Sequence, residues 1–312
     1  MIDFKEDFTM YYFIVNPVSR SGQGMKIWER TKQTLQKKHI PYQVSFTQYN
    51  GHGKKLARQI APQAAGNILV VIGGDGTINE VLNGLPLDCS ITLSYIPIGS
   101  GNDFARGMHL PVQSDSALER ILSSKSTTTI DVGKLETQNR TSYFSISSGF
   151  GYDAEVCYEV SHSRVKKWLN DLHLGKLVYA YAAIKLLFTF RPSDMDVVLD
   201  DDRHYHFTNV YFIAGMNLQY EGGGFRFCPQ ASCRDGALDY LIVHDLSKWK
   251  ILLLFPTAYF ALHTRIPGIT ILQGKEIHIT SSHPHKLHQD GEFAGVADTV
   301  TMSTQEHCLR FL

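Results

Sequence analysis

Residues 68–80 read ILVVIGGDGTINE, and this stretch decides the fold of the first part of the chain. Five apolar residues lead directly into Gly73-Gly74, as expected of a buried parallel strand that ends in a tight turn. A helical pattern follows over 77–85. Glycines between a strand and a helix N-terminus let backbone N–H groups approach a phosphate. On spacing alone, a phosphate-binding loop and a plain turn capped by Asp75 are equally good interpretations.

Outward from this stretch, strand and helix patterns alternate. Strand patterns lie at 11–15, 42–46 and 91–96, and helical patterns lie at 24–38, 54–61 and 114–123. The helix at 54–61 is predicted to end before Pro62, and Trp28 is predicted to face the core. This βαβ repetition predicts an α/β domain with a parallel sheet over residues 1–131.

Beyond residue 131 the pattern changes to alternating apolar and polar residues. Strands are predicted at 141–147, 195–199, 205–213, 238–243, 275–280 and 299–303, with helical insertions at 175–190 and 248–263. We therefore predict a second domain over residues 132–305, a β-rich antiparallel sandwich. Residues 306–312 are expected to return to the first domain.

Three polar, glycine-bearing loops follow predicted strands of the first domain, at 16–22, 73–77 and 97–106. Ligands of an open parallel sheet bind beyond the carboxyl ends of its strands. The three loops together therefore favour a nucleotide site, although each alone could be a surface turn. Asp75 cannot favourably touch a phosphate by itself, so a magnesium-linked role or a hydrogen bond to ribose or backbone is expected.

Composition narrows the class of protein. The 312 residues suffice for two domains, and 30 basic residues balance 30 acidic ones, so the overall charge gives no reason to expect nucleic-acid binding. The longest apolar run, residues 251–262, is too short to span a bilayer. The five cysteines include no CxxC pair and are expected to be free thiols. With acidic residues before the first strand in place of a signal peptide, these features predict a cytoplasmic protein.

Two Asp-Gly steps in the second half have open interpretations. Asp235-Gly236 is typical of a plain hairpin turn. Asp290-Gly291-Glu292 could also be a turn, but if it were extended, Asp290 and Glu292 would face the same side as paired carboxylates. One of the pair could then accept the proton of an attacking hydroxyl.

Taken together, the motifs resemble the diacylglycerol kinase catalytic-domain family, which includes soluble bacterial lipid kinases and sphingosine kinases and is more distantly related to NAD kinases. The resemblance rests on GGDGT followed by Asn79 and Glu80, NPxSxxG over 16–22, PxGxxNDFAR over 97–106, the glycines at 222–224, DGAL over 235–238 and DGE over 290–292. It implies an N-terminal α/β domain of the NAD kinase/phosphofructokinase type and a C-terminal β-sandwich.

The resemblance also implies roles for individual residues. The positions that match the family's ATP site are Asn16, Pro17, Val18, Ser19, Arg20, Thr47, Gly74, Asp75, Gly76, Thr77, Asn79, Glu80, Ser100, Asn102 and Asp103. Those that match its Mg²⁺ site are Ser232, Asp235 and Ala237, the serine and alanine through backbone oxygens. It points to Glu292 as the catalytic base, with Asp290 beside it.

The implied function is that of an ATP- and Mg²⁺-dependent lipid kinase of phospholipid biosynthesis, which converts diacylglycerol to phosphatidic acid at a membrane surface. Alternatives are a kinase of another lipid (a sphingoid base, ceramide or polyprenol), an NAD kinase, or a nucleotide-sensing regulator without turnover. Edge strands of the second domain could pair two copies into a homodimer.

Two segments could meet the membrane peripherally. The first carries Arg164, Lys166, Lys167, Lys176 and Lys185 among apolar residues, and the second is 249–262, flanked by Lys248, Lys250 and Arg265. Both could instead pack on the second domain. Among the histidines, His204, His206, His283, His285 and His288 are expected to face solvent rather than bind zinc.

Overall fold

The computed structural model describes residues 9–124, 126–162 and 175–312; for residue 162 and residues 175–181 it describes the backbone alone. The chain forms two compact units. The first contains the chain up to Ala105, together with Leu110–Ile130 and Cys308–Leu312. The second contains Arg106–His109 and Asp131–His307.

A parallel sheet forms the centre of the first unit. Its strands are β1 (Tyr11–Val15), β2 (Tyr42–Phe46), β3 (Ile68–Gly73) and β4 (Thr92–Pro97), in the order β2-β1-β3-β4. The last residues of β13 (Glu292–Phe311) extend this sheet, because Arg310 and Phe311 pair in parallel with Thr92 and Leu93 of β4. The predicted strands of this domain are therefore confirmed.

Helices cover this sheet and complete its core. They are α1 (Ser19–Lys37), α2 (His52–Ala64), α3 (Asp75–Leu82), α4 (Asp103–Gly107) and α5 (Ser114–Ser123). Trp28 is buried among residues of β1, β3 and α5, as predicted. The predicted end of α2 before Pro62 is wrong, because the helix runs on to Ala64. Pro62 lies in the last turn, where it removes only one backbone hydrogen bond.

Antiparallel strands dominate the second unit. They are β5 (Thr128–Thr137), β6 (Arg140–Phe144), β7 (Ser147–Gly151), β8 (Ser193–Leu199), β9 (Arg203–Met216), β10 (Leu238–His244), β11 (Ile269–Gly274), β12 (Glu276–Gln289) and most of β13. A ladder of β11-β10-β9-β7-β12-β13 carries the core, and β8 pairs with both β9 and β12. The α/β first unit and the β-rich second unit confirm the predicted fold class.

Helices of the second unit differ from the prediction in part. They are α6 (Tyr152–His162), α7 (Gly175–Thr189) and α8 (Lys248–Leu254), and two 3-10 helices follow α8 at Phe255–Phe260 and Leu262–Arg265. The predicted single helix over 248–263 is wrong, because Pro256 stands just after α8 and Ala261 adopts a left-handed conformation (φ 57°). The predicted strand at 141–147 is in fact divided between β6 and β7.

The first of the two predicted membrane-contact segments falls partly outside the described residues. Arg164, Lys166 and Lys167 of the first basic segment lie outside them, as does the side chain of Lys176. Within the described ranges, no helix combines the length and the apolar character that crossing a membrane requires.

Candidate functional site

In the first unit, the loops that follow β3 and β4 touch backbone to backbone. A Cβ atom added at Gly74 would lie 3.3 Å from the Cα of Gly99, and one added at Gly99 would lie 3.0 Å from the Cα of Gly74. Any side chain at either position would push the loops apart. Glycine at both positions therefore holds the carboxyl ends of two neighbouring parallel strands close together, where ligands of such sheets bind.

Asn16 connects the loop after β1 to the end of β3 and the start of α3. Its backbone N–H donates to the carbonyl of Ile72 at 2.9 Å, and its Nδ2 donates to the Oγ1 of Thr77 at 3.1 Å. Thr77 lies in the first turn of α3. The three glycine-bearing loops singled out in the sequence are thus brought together at one edge of the sheet.

Tyr95 of β4 stabilises the end of β3. In the sequence it is only a tyrosine in an apolar strand, so nothing there predicted this role. Its hydroxyl donates to the carbonyl of Gly73 at 3.0 Å. Burial, reinforced by the negative charges of Asp75 and Asp103, raises the pKa of Tyr95 well above its usual range. The hydroxyl therefore stays protonated and remains a donor.

The carboxylate of Asp75 lies at the N-terminus of α4. Its Oδ2 accepts from the amide of Asp103 at 3.1 Å and its Oδ1 accepts from the amide of Phe104 at 3.3 Å. Of the roles expected for Asp75, the structure shows the backbone hydrogen bond. Two residues assigned to the ATP site, Asp75 and Asp103, are thereby fixed relative to each other.

The loop after β1 has an unusual backbone. Arg20 (φ 47°), Ser21 (φ 55°) and Gly22 (φ 85°) are consecutively left-handed, and they interrupt α1 just after its start at Ser19. Such conformations cost non-glycine residues of order 1 kcal/mol each and cluster at ligand sites. The side chain of Arg20 is exposed, so its guanidinium is available to a phosphate at this edge.

Glu80 is engaged elsewhere. Its two carboxylate oxygens accept from the amides of Gly51 and Gly53 at 2.7 and 2.8 Å, which closes the N-terminus of α2. Thr47 is buried directly after β2, and its amide donates to the carbonyl of Val15 at 2.9 Å. Glu80 therefore anchors the N-terminus of α2, and its direct contact with a nucleotide stays a prediction.

The Oδ1 atoms of Asn16 and Asn102 are buried acceptors of these loops that have no hydrogen-bond partner within the described residues. Buried polar atoms are nearly always paired in proteins. The hydroxyl and amino groups of a nucleotide are donors of the required kind. Together with the Gly74–Gly99 contact and exposed Arg20, these acceptors make the loops a fitting site for ATP.

In the second unit, Asp290 lies in a turn. Residues 290 and 291 form the two-residue connection between β12 and β13, both with positive φ (47° and 80°). The Oδ2 of Asp290 accepts from the amide and hydroxyl of Ser145, and its Oδ1 accepts from the amides of Ile146 and Ser147. The extended alternative, with Asp290 and Glu292 as paired carboxylates on one face, is therefore wrong: Asp-Gly favours the left-handed turn. Glu292 opens β13 and is exposed.

Close to this hairpin lies a buried cluster that sequence reasoning missed. The Nε2 of His288 is 3.1 Å from a carboxylate oxygen of Asp153 and 3.1 Å from one of Glu221. Burial alone would lower the pKa of His288, but the negative charge of Glu221, with that of Asp153, raises it well above its usual range. The imidazolium lies between two acidic side chains, and the three groups together are also a donor set that could hold a transition metal.

The solvent-facing prediction for the histidines is therefore wrong in part. His204, His206 and His283 are exposed, but His285 and His288 are buried. Both buried histidines lie in β12, which runs to Gln289, whereas the predicted strand ended at residue 280. His285 packs against Phe150, and His288 lies beside Asp153.

The predicted Mg²⁺ residues Ser232, Asp235 and Ala237 lie in the turn before β10, with Asp131 and Asp239 near Asp235. Burial and the nearby Asp131 raise the pKa of Asp235. Burial and Asp235 raise the pKa of Asp239 to about 6. A carboxylate beside backbone carbonyl oxygens is a donor set that fits a hard cation such as Mg²⁺. No pattern in the sequence distinguished Asp131 or Asp239.

Comparison with known proteins agrees with this geometry. The family model for the diacylglycerol kinase catalytic domain matches residues 10–135, and that for the YegS C-terminal NAD kinase beta sandwich-like domain matches residues 146–311. The Bacillus subtilis protein YtlR is named as a candidate lipid kinase. It is 31% identical over 298 residues, which is 91% of this chain and 94% of YtlR. The diacylglycerol kinase of the same organism is 29% identical, over 91% and 89% of the two chains.

Among solved structures, the crystal structure of a diacylglycerol kinase from Bacillus anthracis superposes with a TM-score of 0.72. It covers 98% of this chain and 97% of the other at 20% identity, so the likeness concerns the fold alone.

Proposed function

The chain belongs to the diacylglycerol kinase catalytic-domain family and is a lipid kinase, and from this premise we propose that it transfers the γ-phosphoryl group of ATP to the hydroxyl of diacylglycerol, giving phosphatidic acid and ADP. Use of ATP follows from the kinase family. The choice of diacylglycerol is supported by the name of the Bacillus subtilis relative at 29% identity.

The observation that carries this proposal is the meeting of three strand-end loops around Asn16, Gly74 and Gly99. Their backbones approach closely enough to line a phosphate chain, and unpartnered carbonyl oxygens of asparagine offer sites for the nucleoside. Arg20 contributes the positive charge. Positioning and charge neutralisation of this kind supply most of the catalysis of phosphoryl transfer.

Glu292 serves as the base. As the lipid hydroxyl oxygen bonds to the γ-phosphorus, the bond from that phosphorus to the β–γ bridging oxygen breaks, and Glu292 accepts the hydroxyl proton. Asp290 does not take part directly, since its carboxylate is committed to residues 145–147. It positions the turn that begins β13.

Mg²⁺ would be held by Asp235 and by the backbone oxygens of Ser232 and Ala237, with Asp131 and Asp239 adding negative charge nearby. A cation there would order the turn before β10, and Mg²⁺ that accompanies ATP would neutralise the phosphates. The residues of this chain keep the turn in place through the amide of Gly236, which donates to Asp131 at 2.9 Å.

A competition assay tests the acceptor. Purified protein is incubated with ATP, with equimolar diacylglycerol, sphingosine, ceramide and polyprenol in mixed micelles, and with NAD in solution. The products are quantified by mass spectrometry. Product ratios then report ratios of kcat/KM. We expect phosphatidic acid to dominate. Another phosphorylated lipid would change the acceptor, and phosphorylation of NAD alone would overturn the proposal.

A further inference from the structure

Exposed apolar side chains of the second unit are concentrated in one segment. Among the described residues, four of the five most exposed large hydrophobic side chains lie between positions 249 and 262: Trp249 (66%), Leu253 (76%), Phe260 (74%) and Leu262 (65%). Single exposed apolar residues are ordinary on protein surfaces, but a concentration of large ones marks a contact surface.

Helix α8 has the sequence KWKILLL and contains no fully buried residue. Ile251, Leu252 and Leu254 pack partly on the core of the second unit. Trp249 and Leu253, four positions apart, share the opposite side of the helix and point outward. The helix is therefore apolar on its outer side as well as on its inner side, which core packing alone does not require.

Helix α7 extends this outer side. Ile184 and Phe188, also four positions apart, are 45% and 43% exposed. The rings of Phe188 and Trp249 lie 5.3 Å apart, and the Nζ of Lys248 donates to the carbonyl of Phe188 at 2.7 Å. We define the apolar face as Ile184, Phe188, Trp249, Leu253, Phe260 and Leu262. Beside Leu253, a hollow of about 260 Å³ opens between Lys250, Leu254, Ile266 and Pro267.

Along the segment that contains Trp249, Leu253, Phe260 and Leu262, the charges have one sign. From Ser247 to Gln273 the chain contains no Asp or Glu, and its charged residues are Lys248, Lys250 and Arg265. Lys250 and Arg265 are exposed. Basic side chains beside exposed Trp, Phe and Leu match a surface with anionic headgroups above an apolar interior.

We propose that the apolar face docks the enzyme on an anionic lipid bilayer, with Trp249, Leu253, Phe260 and Leu262 entering the headgroup region and Lys250 and Arg265 contacting the headgroups. The proposal rests on the lipid-kinase function, because a lipid acceptor must be taken from a membrane. At seven residues, α8 is too short to cross a bilayer, so the apolar face would contact the membrane from one side.

Vesicle co-sedimentation tests the proposal without ATP or diacylglycerol, so the result does not depend on kinase activity. The vesicles contain phosphatidylcholine with or without phosphatidylglycerol. The double variant Trp249→Ser/Leu253→Gln should bind roughly tenfold more weakly than the parent chain, since two large apolar side chains no longer enter the interface. Val112→Gln, at a 59% exposed position in the first unit, is the matched control and should bind normally.

The basic residues are tested in the same way. Lys250→Glu/Arg265→Glu should weaken binding to anionic vesicles by roughly fivefold or more per residue and should reduce its salt dependence. The control Arg30→Glu/Lys37→Glu changes exposed residues of α1 and should have a much smaller effect. Unchanged melting temperatures would show that the variants fold.

Activity gives a second readout. The Trp249/Leu253 variant should lose activity on diacylglycerol in vesicles but keep it on a monomeric short-chain diacylglycerol. The proposal is overturned if the unmodified protein does not bind anionic vesicles, or if the variant binds as well as the parent. It is also overturned if sedimentation shows a dimer that this variant converts to monomers while vesicle binding is unchanged, since the apolar face would then join two copies.

Discussion

Asp290 and Ser145 are joined by two hydrogen bonds of 2.9 Å, because the Oδ2 of the carboxylate accepts from both the amide and the hydroxyl of the serine. The Oδ1 completes the arrangement with the amides of Ile146 and Ser147. A carboxylate with four donors is a structural anchor. Within the DGE motif, Asp290 is therefore a positioning residue, and Glu292 is the base that we propose.

Exchanging the two acids for their amides should separate these roles. Asp290→Asn replaces one acceptor oxygen by an NH₂ group that faces backbone donors, so the free energy of unfolding should fall by about 2–4 kcal/mol. Glu292→Gln changes an exposed side chain, so stability should stay within about 0.5 kcal/mol while kcat falls roughly 10²-fold or more. Urea unfolding and steady-state kinetics on both variants check this. A fully active Glu292→Gln protein would exclude Glu292 as the base.

Arg20 should contribute to the binding of phosphate but not of nucleoside. We expect Arg20→Ala to weaken binding of a non-hydrolysable ATP analogue by roughly three- to tenfold at low salt, and less at high salt, because the side chain is exposed. Adenosine should bind equally to both proteins. Isothermal titration calorimetry provides the comparison, with Arg58→Ala on α2 as the control. Equal losses for ATP and adenosine would point to a disturbed loop instead.

Mg²⁺ should stabilise the second unit through Asp235. At tenfold excess over its dissociation constant, a ligand of the folded state adds about 1.4 kcal/mol of stability. Melting curves with and without MgCl₂ should therefore show an upward shift in the parent protein and none in Asp235→Asn. Asp202→Asn, which alters a side chain that is 80% exposed, should keep the shift. If Asp235→Asn also keeps it, Mg²⁺ is bound elsewhere.

His285 should make the fold sensitive to acid. Burial, with a contribution from His283, lowers the pKa of His285 from 6.5 to about 4. As pH falls below 6.5, the unfolded chain takes up a proton that the folded chain resists, so stability declines until about pH 4. The full effect amounts to about 3 kcal/mol.

Denaturant unfolding between pH 7.5 and pH 4 measures this effect. His285→Gln keeps a group that can bond the hydroxyl of Ser193, now 2.7 Å from the ring, and should flatten the pH dependence relative to the parent. His204→Gln, at an exposed position, should leave it unchanged. Parallel curves for His285→Gln and the parent would mean that His285 titrates normally.

Local patterns predicted the first unit well. A parallel strand buried on both faces is a continuous apolar run, and the stretch 68–72 that ends in Gly73-Gly74 has this pattern. The meeting of the loops also followed from topology, since parallel strands end at one edge. The partners of Asp75 could not be predicted, because hydrogen bonds to residues 28 and 29 positions away depend on the packing of α4.

The second unit was harder to predict because its site depends on long-range pairing. His288 meets Asp153 and Glu221 across separations of 135 and 67 residues, and no local spacing encodes such a contact. The turn at Asp290, by contrast, is encoded locally. Asp-Gly is a strong signal for a tight turn, and it outweighs the extended conformation that would have paired the two carboxylates.

The central claim, transfer of phosphate from ATP to diacylglycerol, is tested most directly by its stoichiometry. Purified protein with ATP and diacylglycerol in mixed micelles should produce ADP and phosphatidic acid in equal amounts, and neither product should form without the lipid. The Glu292→Gln variant, compared with the parent at equal concentration of folded protein, should form less of both products. ADP without phosphatidic acid, or neither product from protein that still binds ATP, would contradict the account.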